Sequence, residues 1–512
     1  MTPKRLILTL LTVMVVGLAG ISLATSWNEP QIQSRLELYQ TNLLLQGSEY
    51  KGENSEDPRV KAAQALLGQE FIQTAQKQYQ AVRESTQTIL QNNRAKLAAN
   101  TEIDTVDDRP VELLQKAIRD GELYLNDLDL RIGILQAYQG EVKTAQTTWG
   151  QISESASTPT EAQKQITAIL SGLWSEPPRL EPNAEELLKT NLDGWFRYQG
   201  LSQLYEQQGR TSDLEILQEK QQQIAGQALL KLVFIGGLPV LGVVVGGSLI
   251  IFLLVQVFLE PQTAILALPS DKDNQEIWQT PWDWETIWQV LIVGFFFVQQ
   301  IFLPLLLGLL PIEASELTVR LQSFYVLGTY VLLSLGGLLV LYFSLKQFFP
   351  LPENWFNFNW RSNWILWGIG GYLVALPLVI LVSLINQQIW QGQGGSNPLL
   401  QIALNNKDSV ALVVFFITAS VAAPLFEEIM FRGFLLPSLT RYQSPWSAIA
   451  LSSLLFAIAH LNVSEVIPLT TLGMVLGFTY VRSGNLLAPM LLHCLWNSGT
   501  LISLFILGSS AI

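Results

Sequence analysis

Two histidines occur in the whole 512-residue chain, His460 and His493, and both fall in apolar helical runs. A strongly polar or ionisable group inside a membrane costs about 2.5–3.5 kcal/mol on insertion scales and marks a functional site by default. A single buried histidine is more often a satisfied packing residue. Two of two, in company with a buried acid pair, favour function. The acids are Glu427 and Glu428, in the run Ala423-Pro424-Leu425-Phe426-Glu427-Glu428-Ile429-Met430-Phe431-Arg432-Gly433. On a helix, Glu428 and Arg432 share a face and pair in the favourable acid-before-base order. Glu427 points about 100° away and lacks that partner. One carboxylate is thus held ionised while the other is available for chemistry, a separation of roles between like groups. Taken alone, the segment also fits an interfacial ion pair at a helix end.

Two further pairs have the same spacing. Phe456 precedes His460 by four residues, and His493 precedes Asn497 by four. In the second pair the ring nitrogen and the amide face one way, about a turn apart. Two such donors can converge on one oxygen, as an oxyanion hole requires. The plainer alternative is helix–helix adhesion through polar side chains, worth about 0.6 kcal/mol in a membrane. That alternative suits Asn497 alone better than it suits Asn497 beside His493. Cys494, the single cysteine, excludes an intramolecular disulfide. It is no nucleophile paired with His493, because adjacent helical residues point apart.

The ordered set Glu-Glu-x-x-x-Arg, Phe-x-x-x-His and His-x-x-x-Asn resembles the CPBP family of intramembrane proteases. That family includes CAAX prenyl endopeptidases and bacterial bacteriocin self-immunity (abortive-infection-like) proteins. The flanks agree: Phe431-Arg432-Gly433, and Gly484 to Pro489 ahead of His493. The resemblance covers roughly residues 360–508. It implies that Glu427 and His460 activate a water, that His493 and Asn497 stabilise the oxyanion, and that Glu428, Arg432 and Phe456 support them. A zinc enzyme is the rival reading, with Glu427, His460 and His493 as ligands beside an open position for water. No His-Glu-x-x-His occurs, and the metal-free form is favoured.

The elements that must carry these residues are apolar helices. The chain is 49% hydrophobic and only 14% charged, against about 25% charged in average soluble domains. A bilayer core needs roughly 20 apolar residues per helical span. Such runs appear at 6–25, 232–258, 286–310, 323–347, 364–386 and 409–438, with shorter ones at 447–461, 466–481 and 485–508. The fold expected is all-α, a polytopic membrane domain with an N-terminal helical extramembrane domain. Residues 1–25 read as a signal anchor or a cleaved signal peptide, the length favouring the anchor. Residues 26–230 read as soluble helical structure, 231–359 as additional transmembrane helices, and 360–512 as the CPBP-like domain.

Within 26–230, the stretches around Tyr138, Gly140 and Ala145, and around Tyr205 and Gly209, are similar to the tetratricopeptide pattern. An ordinary helical bundle is the alternative. This region holds 29 acidic and 19 basic residues, a net charge of −10, which excludes a nucleic-acid partner. The bilayer, a membrane protein or lipidated peptide as substrate, and a protein partner on 26–230 are the partners expected. With nine crossings, Lys4, Arg5, Lys272, Lys346, Arg361, Arg432, Arg441 and Arg482 fall on the cytoplasmic side. Lys231, Arg320 and Lys407 fall outside, in line with the positive-inside rule. Residues 26–230 then lie on the non-cytoplasmic face, and the site opens towards the cytoplasm. A catalytically idle scaffold is a further alternative, set against by the intact signature residues. A transport path is another, set against by the lack of internal symmetry.

Overall fold

The computed structural model describes residues 2–27, 29, 31, 33–52, 71–101, 109–154, 159–267, 278–310, 317–390, 392–396 and 408–508. Lys272 and Lys407, used in the charge argument, lie outside the described residues. The described residues fold into helices without a strand. The chain divides into two compact units, Met1–Ile32 with Gly236–Phe505, and Gln33–Ile235 with Ile506–Ile512.

In the first unit we label the apolar helices α1 (Pro3–Ser26), α2 (Leu238–Leu259), α3 (Trp284–Gly308), α4 (Val319–Phe348), α5 (Trp364–Trp390), α6 (Ser409–Leu439), α7 (Pro445–Ile458), α8 (Val463–Ser483) and α9 (Leu487–Gly508). A helix satisfies its own backbone hydrogen bonds, the condition for crossing a bilayer. Eight helices among the described residues are long and apolar enough to cross, where the sequence suggested nine. The difference is α7, which has only 14 residues. Its start is fixed by Pro445 in the first turn and by the Ser444 hydroxyl, which accepts from the Ser447 backbone N–H. Beyond its end, Leu461 adopts a left-handed φ of 60°. The neighbouring run expected at 466–481 extends to 21 residues in α8.

The helices expected over 231–359 as additional transmembrane helices share one core with the C-terminal ones. Phe295 and Phe296 of α3 and Leu333 and Leu341 of α4 are buried in the same cluster as Phe426, Phe431 and Phe456. Close approach depends on missing side chains. A Cβ on Gly246 of α2 would lie 1.8 Å from the Leu373 carbonyl oxygen of α5. One on Gly337 of α4 would lie 2.7 Å from the Phe426 ring of α6. Small residues at such crossings let helices gain dispersion contacts, the main packing force where lipid is as apolar as the protein. The N-terminal helix belongs to this core. Val15 is buried, the Trp288 indole N–H donates to Thr12 Oγ1 at 2.8 Å, and Arg5 bonds Glu285 at 2.7 Å. Its far end is tied by the Val463 N–H, which donates to Ser26 Oγ.

The second unit packs more polar helices, among them Arg109–Tyr138, Val142–Glu154, Gly194–Gln207 and Thr211–Leu232. The two stretches singled out by their glycines form helical hairpins. Gly140 (φ 83°) and Gly209 (φ 68°) occupy the turns, where left-handed backbone favours glycine. In the first hairpin Trp149 is fully buried and its indole N–H donates to the Leu130 carbonyl at 3.2 Å. Trp149 fits because residue 133 is glycine. A Cβ there would lie 2.1 Å from the indole nitrogen.

Gly133→Ala is therefore expected to destabilise the helical unit by about 1–3 kcal/mol through overpacking. The check is the thermal midpoint of the purified full chain, followed by tryptophan near-UV circular dichroism. An unchanged midpoint would show that the indole has room to move.

Candidate active site

Helix α6 carries both carboxylates and is interrupted on either side of them. The backbone turns as a π helix at Thr418–Ala422 and again at Ile429–Leu435. π turns are rare insertions that concentrate at functional sites. Glu428 and Arg432 form the pair expected from their spacing: Arg432 Nη1 donates to Glu428 Oε1 at 2.7 Å, and both side chains are 0% exposed. The guanidinium lies 4.4 Å over the Phe456 ring of α7, and Nη2 reaches the Gly473 carbonyl of α8 at 3.4 Å.

His493 of α9 completes this cluster. Its Nδ1 lies 2.8 Å from Glu428 Oε1, and its Nε2 lies 3.9 Å from Glu427 Oε2. A carboxylate paired with Arg432 accepts, so Nδ1 carries the proton and Nε2 faces Glu427. The expected convergence of His493 and Asn497 does not occur. The Asn497 amide instead donates to the Ala419 carbonyl at 2.7 Å. Ala419 lies inside the first π turn, where the helical ladder is disturbed and a carbonyl takes a side-chain donor.

Glu427 is 15% exposed and opens on a cavity of about 200 Å³ that His460 also lines. His460 Nδ1 lies 2.9 Å from the Phe456 carbonyl oxygen. A carbonyl only accepts, which puts the proton on Nδ1 and leaves Nε2 as the basic nitrogen. Phe456, fully buried, meets both histidine rings edge-on, with centroids 4.9 Å from His460 and 5.7 Å from His493.

Glu427 does have a partner, and sequence reading missed it. The Tyr330 hydroxyl of α4 donates to Glu427 Oε1 at 3.1 Å and lies 3.5 Å from the Ala423 carbonyl. The α4 face is set by the glycine crossing: Gly337 admits Phe426, and Tyr330, seven residues earlier, lies on the same face. Tyr330 and Gln299 line the cavity beside Glu427 and His460, and Gln299 Oε1 is a buried acceptor without a partner. No spacing links these residues to Glu427, because they sit on other helices far away in the chain, Tyr330 at a separation of 97.

Among the described residues, no three His, Cys, Asp or Glu side chains gather so as to hold a metal ion. In the set Glu427, His460 and His493, each histidine bonds through Nδ1, His493 to Glu428 and His460 to the Phe456 carbonyl, and keeps Nε2 for another partner. Cys494 is half-buried and takes no part in the cluster.

Fold and site together define a polytopic helical membrane protein with a carboxylate–histidine centre inside its helices. Residues 409–499 match the family of type II CAAX prenyl endopeptidase Rce1-like proteins, and the chain carries an Rce1-like domain at its C-terminal end. It is 28% identical over 138 residues to a Bacillus subtilis protein named "Putative membrane peptidase YdiL", a match covering 27% of this chain and 55% of that protein. It is 25% identical over 224 residues to the membrane-embedded CAAX protease MroQ of Staphylococcus aureus, covering 42% of this chain and 89% of that one. A third relative, an uncharacterised 24.3 kDa protein of Escherichia coli, is 32% identical over 103 residues, covering 19% of this chain and 48% of its own length. The chain thus spans about half the length of two of these relatives. No solved structure matches it.

Arg432→Met is expected to cost about 3–5 kcal/mol, because it strands Glu428 without its cation in a site closed to water. Replacing both partners by apolar residues should recover much of that loss. Thermal unfolding of the two variants in detergent separates the cases. Equal losses for single and double variants would show that the pair itself, and not the stranded charge, carries the stability.

Proposed function

We propose that the protein is an intramembrane endopeptidase in which Glu427 is the general base. The observation that carries this reading is the different surroundings of the two adjacent acids. Glu428 is closed off by Arg432 and His493, whereas Glu427 shares an open cavity with His460. A water placed between Glu427 and His460 Nε2 gives its proton to the carboxylate as its oxygen attacks the peptide carbonyl carbon. The tetrahedral intermediate collapses, the C–N bond breaks, and the proton on Glu427 passes to the leaving amine. The oxyanion needs a donor aimed into the cavity. Tyr330 O–H supplies one, once its bond to Glu427 is released by protonation of the carboxylate. His493 then acts by fixing the charge distribution of the two acids, and Asn497 by bracing α9 against α6. Gln299 Oε1 is placed to accept an N–H of the substrate backbone. The substrate class proposed is a membrane-associated or lipidated peptide, and no metal is used.

Glu427→Gln should lower kcat on a cleaved membrane peptide by about 10³-fold in a folded protein. Tyr330→Phe, which keeps the ring, should lower kcat by about 10²-fold with little change in KM. Both assays belong before and after exhaustive chelation, with elemental analysis of the active protein. Full cleavage by Glu427→Gln refutes the base assignment. Activity lost on chelation and restored by zinc refutes the metal-free mechanism.

We also propose the orientation that places Lys4, Arg5, Lys346, Arg361 and Arg441 on the cytoplasmic side, with the helical unit outside. Asp120→Cys, in a chain whose Cys494 is serine, should react with a membrane-impermeant maleimide added to intact cells. Protection until lysis would invert the topology.

A further inference from the structure

A second cavity, of about 700 Å³, lies wholly within the helical unit, in the size range of ligand sites. Its electrostatics oppose those of the unit around it. Residues 26–230 carry a net charge of −10, yet this cavity is lined by five cations and two carboxylates. Both carboxylates are already bound by two of those cations. Glu185 accepts from Lys189 Nζ and from Arg210 Nη1, each at 2.6 Å, and Asp213 accepts from Arg210 Nε at 2.6 Å. Those hydrogen bonds hold the Glu185 carboxyl down to about 2, so it stays ionised and spoken for. Arg210 is further fixed 4.4 Å over the Tyr205 ring. The remaining lining cations are Arg197, Lys220 and Lys231, the last with a partner of its own. Arg197 Nε donates only to a neutral group, the Leu192 carbonyl.

The second observation is independent of charge. Gln221 lines the same cavity, is 4% exposed, and its Nε2 has no hydrogen-bond partner. A buried donor left unmade costs about 1–3 kcal/mol, and each such group in a folded protein calls for an explanation. An acceptor oxygen entering the cavity provides one. Beside these donors the wall is apolar, with Leu201 buried and Ile216 at the rim 66% exposed.

We propose that this cavity binds a short acidic peptide segment, whose carboxylates meet Arg197, Lys220 and the Gln221 amide while an apolar side chain covers Ile216. The distribution of charge favours several single carboxylates over one phosphate. Lys220 and Lys231 stand on one helix eleven residues apart, about 16 Å along its axis, too far to share a single anion. The proposal does not depend on the proteolytic reading, since no residue of the membrane site is involved.

The experiment uses the full chain in detergent and two fluorescein-labelled hexapeptides, Asp-Leu-Glu-Ile-Asp-Leu and its counterpart with Lys at each acidic position. Anisotropy should show binding of the acidic peptide alone, weakening several-fold between low and moderate salt. Lys220→Glu should weaken it at least 10-fold and Gln221→Leu about 5-fold, with unchanged thermal midpoints and unchanged cleavage at the membrane site. Equal binding of the two peptides, or wild-type affinity in Lys220→Glu, overturns the proposal. So does displacement of the peptide by inorganic phosphate below millimolar concentration, which would make the cavity a phosphate site.

Discussion

A guanidinium and a carboxylate with no access to water set the terms for the C-terminal helices. Removing two such charges from water costs several kcal/mol each, and their mutual attraction repays this only with good geometry and further hydrogen bonds. Glu428 and Arg432 draw further contacts from three other helices, while Glu428 Oε2 and Arg432 Nε are left without a partner. Phe456 of α7 offers its ring face, the Gly473 carbonyl of α8 accepts, and His493 of α9 donates. The pair therefore does more than neutralise itself. It ties α6, α7, α8 and α9 to one point, and any shift of one helix leaves a charge without a partner.

That anchoring explains how neighbouring glutamates come to differ. Because Glu428 is closed on all sides, Glu427 is turned about 100° towards the open side of α6, where α3 and α4 bring Gln299 and Tyr330. Those two residues lie outside the 409–499 segment that matches the Rce1-like family. The wall of the cavity consequently extends beyond the matching segment, and the upstream helices form part of it as well as extra spans. Phe456 links the halves, since its ring contacts Arg432 and both histidines while its carbonyl sets the proton on His460.

Much of this was legible in the sequence. The apolar runs located nearly every helix, because length and hydropathy alone decide what can span a bilayer. The Glu428–Arg432 pair followed from four-residue spacing, and scarcity of histidine pointed to His460 and His493. What was not legible depends on contacts between helices. Tyr330 is an ordinary tyrosine in an apolar run, and only the crossing at Gly337 aims it at Glu427. Asn497 and His493 share a helix face, but a disturbed ladder at Ala419 drew the amide away. In the helical unit, Gly140 and Gly209 announced the hairpin turns, whereas the basic cavity could not be read from a chain stretch that is acidic on average.

The π turn at Ile429–Leu435 makes this stretch of α6 sensitive to its length. Such a turn holds one more residue than the α turn it replaces. Losing one residue there would restore the α ladder while rotating everything downstream by about 100°. The loop into α7, and with it the register of His460, would swing off the carboxylates. Chain length across this turn is therefore a tighter constraint on the site than the identity of any one apolar residue beside it.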